Sequence, residues 1–339
     1  MNKFPDIQSV FEAFNNLKVV VIGDVMVDAY LWGKVDRISP EAPVPIVAVQ
    51  KRENRLGGAA NVALNIRSMG ASAILCSVIG DDRNGEELLM LMKEIGMTTQ
   101  GMVSSTERVT TVKTRVIGNN HQLLRVDDEV ITELSENDRT ALTERILSIL
   151  ETENPDVVIF EDYDKGVLGE IIIQSIVNAC IKKGIPTAVD PKKKNFTAYK
   201  NVNLFKPNLH ELKTGLKIDF DKPNADILEE LTRKFRIDQG IETLMVTLSE
   251  SGVFYAQDKS HEVIPAHVRN ISDVSGAGDT VISVASLCLA LGLPTRTMSG
   301  LANLAGGLVC EKIGVVSIDK QQLLEEAEKT EYDGTPSTL

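Results

Sequence analysis

Asp273-Val274-Ser275-Gly276-Ala277-Gly278-Asp279-Thr280 joins a glycine-rich turn to an aspartate at the head of a long apolar segment, 281–293. Glycines at 276 and 278 leave backbone N–H groups unobstructed and permit φ > 0. The first turn of a following helix adds unpaired donors and the positive end of its dipole. The stretch therefore reads as an anion cradle with a carboxylate beside it. Attack of an alcohol on ATP needs that pairing: donors where charge gathers on the γ-phosphoryl group, and a carboxylate, here Asp279, to take the hydroxyl proton. A plain glycine turn before a dipole-favoured acid would use the same residues, so the rest of the chain must decide between the two.

The 339 residues suffice for one large α/β domain or two. A net charge of -12 excludes a general basic field for nucleic acid or an anionic membrane. Cys76, Cys180, Cys288 and Cys310 are far apart without a C-x-x-C, and read as small buried apolar residues of a reducing compartment. Residues 1–16 carry charges of both signs and no secretory apolar core, and no apolar run approaches membrane-spanning length. A soluble, cytoplasmic protein is expected.

Strand-like and helix-like runs alternate along the chain. Residues 18–22, 73–79, 157–160, 186–189, 202–206 and 244–248 read as strands; 61–69, 85–95, 137–150, 170–181 and 225–236 read as helices, with more starting near 279 and 296. That beat predicts an α/β fold, a mostly parallel sheet covered by helices on both faces. Two excursions break it. Residues 29–49 carry prolines at 40, 43 and 45, and 100–130 alternate Thr111, Lys113, Arg115 with Val112, Thr114, Val116 before a Gly118-Asn119-Asn120 turn. Together they predict a small β lid on a single domain of residues 1–330, with 331–339 a frayed tail.

Competing motifs are missing. The only Gly-Lys pair, Gly33-Lys34, precedes Val35, so there is no Walker A loop. Gly23-Asp24-Val25-Met26-Val27-Asp28 lacks the dinucleotide spacing, and no G-x-S-x-G occurs. His210-Glu211 and His261-Glu262 begin like zinc-protease helices, but Thr214 and Pro265 stand where the second histidine belongs.

In Gly57-Gly58-Ala59-Ala60-Asn61 the paired glycines let backbone approach a ligand closely, and Asn61 offers a donor and an acceptor, or simply caps the helix. Asp28 is placed to accept a pair of vicinal hydroxyls. Asn208 and Glu211 form a capping-box pattern. Asn303, with Gly306 and Gly307 in an apolar run, reads either as close packing beside an adenine or as close helix packing. Lys113, Arg115, Lys165 and Lys192 are candidate partners for a buried substrate phosphate.

The octet at 273–280 resembles the C-terminal signature of the ribokinase-like (PfkB) family of sugar and nucleoside kinases. That resemblance implies a ribokinase-like fold, with Asp279 as catalytic base and Gly276, Ala277 and Gly278 as the anion hole. It implies that Asp28, Gly57, Gly58 and Asn61 hold the sugar, and Lys165 and Lys192 are then assigned to its phosphate. Asn208, Glu211, Thr247, Ser249, Gly252 and Asn303 are assigned to ATP, Glu211 also organising Mg2+ and its waters. Ser249 replaces the usual middle glycine of the T-x-G-x-x-G nucleotide loop. Beside a helix N-terminus, Asp279 is expected to have a low pKa, so that its position matters more than its basicity.

Within the family, Arg37-Ile38-Ser39-Pro40-Glu41-Ala42-Pro43-Val44-Pro45, Leu124-Arg125-Val126-Asp127, Asp162-Tyr163-Asp164-Lys165-Gly166 and Asp190-Pro191-Lys192 are similar to the kinases of ADP-heptose synthesis. Asp164 departs from the small residues usual there. The implied reaction converts D-glycero-β-D-manno-heptose 7-phosphate and ATP to the 1,7-bisphosphate, for lipopolysaccharide core synthesis. The alternatives are a kinase of a fructose or ribose derivative, or a catalytically silent sugar-binding regulator. No H-x-G-H motif occurs among the four histidines, so a separate adenylyltransferase is expected downstream. A homodimer through the lids is expected as well, because Val44, Ile46, Val112 and Val116 alternate in a sheet too thin to bury both faces against its own domain, with Val112 and Val116 read as the contact surface.

Overall fold

The computed structural model describes residues 4–220, 224–267, 269–312 and 314–330. The expected frayed tail, 331–339, lies outside them.

The β-branched run at the start of the chain builds the centre. After α1 (Ile7–Phe14), β1 (Lys18–Gly23) carries Val19, Val20, Val21 and Ile22, all fully buried. Its alternating side chains feed two cores: Val19 and Val21 join one, Val20 and Ile22 the other. A strand buried on both faces needs helices on both sides. The lid strands β2 (Val25–Ile38) and β3 (Pro45–Gly58) follow, then α2 (Ala59–Ser68), β4 (Ser72–Gly80), α3 (Arg83–Glu94) and β5 (Met102–Ser105). The lid resumes with β6 (Val112–Gly118) and β7 (His121–Asp128), after which the chain returns through α4 (Glu136–Glu153), β8 (Val157–Glu161), α5 (Glu170–Lys183), β9 (Thr187–Asp190) and the short β10 (Leu204–Phe205). It continues as α6 (Leu209–Leu216), α7 (Ala225–Asp238), β11 (Thr243–Thr247), β12 (Val253–Gln257), β13 (Ser260–Ile264), α8 (Ala277–Leu291), α9 (Thr295–Val309) and α10 (Lys320–Lys329).

The main sheet has the order β13-β12-β11-β10-β9-β8-β1-β4-β5, parallel from β11 to β5 and closed at one edge by the antiparallel β12 and β13. The first core lies under α1, α2, α8, α9 and α10, the second under α4, α5, α6 and α7. Local chemistry fixes the helix ends. Asp82, Ser135 and Asn224 side chains cap α3, α4 and α7, and Gly184 and Gly292 end α5 and α8 in the left-handed region.

The lid is a four-stranded sheet, β3-β2-β6-β7, whose β6–β7 turn places Asn119 and Asn120 at φ 52 and 65. Its strands reach further than the 29–49 excursion: only Asp24 separates β1 from β2, so Asp28 sits on a lid strand, and β3 runs through Gly57 and Gly58. Of the 100–130 stretch, Met102–Ser105 leaves the lid altogether and pairs in parallel with β4. The β12–β13 hairpin was not foreseen from the sequence.

Phe160 on β8 is fully buried and meets Tyr199 edge-on at 5.8 Å between centroids. Phe160→Ala is expected to destabilise by roughly 3–5 kcal/mol, the usual result of emptying an aromatic site in a close-packed core. Urea denaturation reads this as a lower midpoint; a midpoint equal to the parent's would contradict this packing.

Candidate active site

Parallel strands open their carboxyl ends on one side of the sheet, where ligands bind in such folds. Here those ends carry charge. Asp24 follows β1, Glu161 ends β8, Asp190 ends β9 in register with it, and Lys206 follows β10. Lys206 Nζ, only 2 % exposed, meets Asp190 Oδ2 at 2.7 Å. Burial opposes its charge, but Asp190 and Glu211 hold its pKa above the ordinary lysine value. Both oxygens of Glu161 and Oδ1 of Asp190 are buried without a hydrogen-bond partner among the described residues. Burial, with Asp190 and Asp279 adding to it, pushes the Glu161 carboxyl well above the ordinary glutamate value.

Above this layer starts α8. Gly276 is its N-cap at φ 80, where a side chain would be strained and would crowd Asn61 and Val315. No side chain caps the helix, which leaves first-turn N–H groups for an incoming anion. Ala277 and Gly278 form that first turn. Only Gly276 uses the positive φ read for both glycines; a Cβ at Gly278 would stand 3.7 Å from Asp190 and Lys206, in ordinary contact.

Asp279, also in the first turn, is 7 % exposed. Its Oδ2 accepts from Asn61 Nδ2 at 2.6 Å and its Oδ1 from the Tyr163 hydroxyl at 2.7 Å. The low pKa expected beside a helix N-terminus is overturned. Burial outweighs these two hydrogen bonds and pushes the carboxyl up to about 6.

Asn61 is not the N-cap of α2. Gly58 holds that position, at φ 62 and against the Asp24 carbonyl, so that Asn61 turns inward to Asp279. A side chain at Gly57 would run into the Asp28 carboxylate. Asp28, 4 % exposed, is ion-paired with Arg115 from β6, whose guanidinium lies over the Tyr30 ring. The two lysines assigned to a substrate phosphate are drawn to different partners. Lys165 Nζ lies 2.7 Å from Glu129, to which Lys113 also turns, whereas Lys192 pairs with Glu211 and faces the Tyr163 ring.

Asn208 and Glu211 do form the capping box of α6, leaving Glu211 Oε1 to Lys192. An isolated parallel bridge joins Asn208 to Thr247, which brings the two stretches assigned to ATP side by side. Ser249 takes φ 53 and Gly252 φ 95. The serine thus adopts the left-handed conformation that a glycine would reach more cheaply. Asn303 donates to the Pro265 carbonyl at 2.9 Å, and Gly306 allows α9 close against Val281 of α8. Among the described residues, no group of three or more His, Cys, Asp or Glu is arranged to hold a metal. Magnesium needs less, because it keeps waters and takes one or two carboxylates beside substrate phosphates, so Glu211 fits it.

Sequence reasoning missed Tyr163, Glu161 and Lys206 as parts of this centre. A signal was present for two of them: Glu161 ends an apolar strand and Lys206 follows one, at the end where a parallel sheet opens.

The model of the family described as pfkB family carbohydrate kinase matches residues 16–321. The chain is 39% identical over 310 residues to the bifunctional protein HldE of Methylobacillus flagellatus, covering 91% of this chain but 62% of that protein. It thus spans less than two thirds of that relative's length. It is 39% identical over 328 residues to the D-beta-D-heptose 7-phosphate kinase of Bordetella bronchiseptica, covering 96% of this chain and 100% of that protein. Among solved structures, phosphofructokinase-2 from Escherichia coli in complex with potassium superposes with a TM-score of 0.77 over 92% of this chain and 99% of its own, at 19% identity, a likeness of fold alone. With its fold, its family signature and a relative matched along that relative's whole length, the chain belongs to the pfkB family of carbohydrate kinases.

Proposed function

We propose that this chain transfers the γ-phosphoryl group of ATP to the anomeric hydroxyl of D-glycero-β-D-manno-heptose 7-phosphate. The observation that carries the chemistry is Asp279, buried in the first turn of α8 beside helix N–H groups that no side chain caps. Its presence supports a catalyst over a silent sugar-binding relative. The choice of sugar rests on the heptose 7-phosphate kinase matched over its whole length.

In this mechanism Asp28 takes a pair of sugar hydroxyls at the base of the lid, and Asn61 fixes the orientation of Asp279. The sugar hydroxyl attacks the γ-phosphorus while its proton passes to Asp279. A carboxyl titrating at about 6 is largely ionised at neutral pH, yet a better acceptor than an ordinary aspartate. The N–H groups at Gly276, Ala277 and Gly278 stabilise the charge on the transferring phosphoryl. Thr247, Ser249 and Gly252 line the nucleotide, and Glu211 would hold magnesium and its waters. Bound magnesium supplies positive charge to the β- and γ-phosphates. Lys165 and Lys113, near Glu129, are the cations closest in kind to a 7-phosphate partner, whereas Lys192 lies with Glu211.

ADP formation measured with heptose 7-phosphate, fructose 6-phosphate, fructose 1-phosphate and ribose is expected to give the highest kcat/KM for the heptose. A preference for any other would move the substrate. Asp279→Asn should keep the fold and ATP binding and lower kcat by roughly 10²- to 10⁴-fold, the worth of a placed general base. Near-normal turnover would remove Asp279 from the mechanism.

The lid also supports a homodimer. Side chains alternate across its strands, so Asp28, Lys113 and Arg115 share the face toward the sugar, while Leu31, Val116, Leu124 and Val126 share the other. Leu124 and Val126 are 56% and 51% exposed. Val112, read from the sequence as part of this surface, packs on the core instead. A second lid laid over this face in a two-fold contact would cover it. Light scattering at micromolar concentration is expected to give a dimer that Leu124→Asp and Val126→Asp convert to monomer. A dimer indifferent to both changes would place the contact elsewhere.

A further inference from the structure

Both oxygens of Asp279 are already occupied, Oδ2 by Asn61 and Oδ1 by Tyr163. A carboxylate oxygen has two lone pairs, and the base must present one of them to the incoming hydroxyl on the side from which it arrives. The two donors differ in what they can yield. Asn61 belongs to α2, and its main-chain carbonyl accepts from Asn65 Nδ2 at 2.9 Å. Tyr163 lies in the segment between β8 and α5 and presents an O–H, the same group that a sugar presents.

The main chain under Tyr163 is pinned. Asp24, 1 % exposed, accepts from the backbone N–H groups of Tyr163 at 2.9 Å, Lys165 at 3.1 Å and Val167 at 3.0 Å. Any motion that takes the hydroxyl off Asp279 is therefore one of the side chain, with the loop held in place. Toward the ring stands the Lys192 ammonium, 5.5 Å from its centroid. Burial and the nearby Asp279 push the phenol pKa well up, so Tyr163 is a donor at neutral pH.

We propose that Tyr163 is a positioning residue that stands in for the acceptor hydroxyl: its O–H holds Asp279 Oδ1 and keeps water from it until the sugar hydroxyl takes the same place. The proposal rests on Asp279 being the base, as set out above. Water on Oδ1 beside bound ATP would be a productive arrangement of the wrong kind. Its oxygen would bond to the γ-phosphorus, the bond to the ADP oxygen would break, and Asp279 would take the proton, giving ADP and phosphate. Water also offers an O–H but brings no other contact to offset the lost Tyr163 bond, whereas a sugar anchored at Asp28 does.

The charged and titratable groups facing Asp279 are Glu161 from β8, Tyr163 from the loop after it, Asp190 from β9 and Lys206 from after β10. Tyr163→Phe changes only one of them and keeps the ring. It is expected to raise ATP hydrolysis without sugar several-fold. The acid limb of kcat/KM for the sugar should move up by about one pH unit, because the free enzyme loses a hydrogen bond to the ionised carboxylate. The acid limb of kcat should stay in place, since in the ternary complex the sugar has already displaced the phenol. With 3-fluorotyrosine in place of Tyr163, a stronger donor, the kcat/KM limb should move down; this arm also decides the matter if Tyr163→Phe does not fold.

Unchanged sugar-free hydrolysis, or unmoved kcat/KM limbs in both variants, overturns the proposal. Limbs of kcat and kcat/KM that move together do so too, because Tyr163 would then remain on Asp279 during turnover. Asp279→Asn run in parallel separates the two readings. Full activity there removes the base itself, whereas its expected loss beside unmoved Tyr163→Phe limbs removes only the role of Tyr163.

Discussion

The pair of hydrogen bonds on Asp279 is the constraint around which the site is built. One comes from α2, at the foot of the lid, and the other from the loop after β8, so a single carboxylate ties three distant segments at the carboxyl edge of the sheet. A second polar link runs beside it: Asn65 Oδ1 accepts from Thr280 Oγ1 at 3.0 Å and from the Ile318 N–H at 3.0 Å. Together they fix how the first turn of α8 faces α2. Gly276 and Gly58 supply the backbone conformations that let both helices begin so close to each other.

This arrangement is bought with buried charge. Lys206 and Asp190 are paired out of water, and Glu161 stands beside them without a hydrogen bond among the described residues. A buried ion pair is weak support for stability, because desolvation offsets most of its Coulombic gain. Concentrations of perturbed carboxyls at the edge of a parallel sheet belong instead to sites that move protons or bind charged ligands. Asp279 inherits its proton affinity from this setting, burial first and Asp190 reinforcing it.

Much of this was legible in the sequence, and the physics says which parts. Unbroken β-branched runs such as Val19-Val20-Val21-Ile22 mark strands buried on both faces, and the glycines at 276 and 58 mark turns that other residues fill badly. Asn61 and Asp279 could be named because each lies within a few residues of such a turn, and Asp28 because the family resemblance points to it. The direction of the Asp279 shift could not, since the helix dipole is local while burial is a property of the assembled fold. Tyr163 escaped because nothing in its own neighbourhood shows that its hydroxyl meets a residue 116 positions away. Val112 misled because the alternation that separates the two faces of a strand does not say which end of the strand reaches the core.

The central claim is that burial, held in place by Asn61 and Tyr163, leaves Asp279 ionised but unusually basic. A carboxyl-carbon NMR titration of isotopically labelled aspartates in the ligand-free protein, with the Asp279 signal assigned by its loss in Asp279→Asn, tests this directly. The account predicts a midpoint at about 6; a midpoint at the ordinary aspartate value of 3.8 would contradict it.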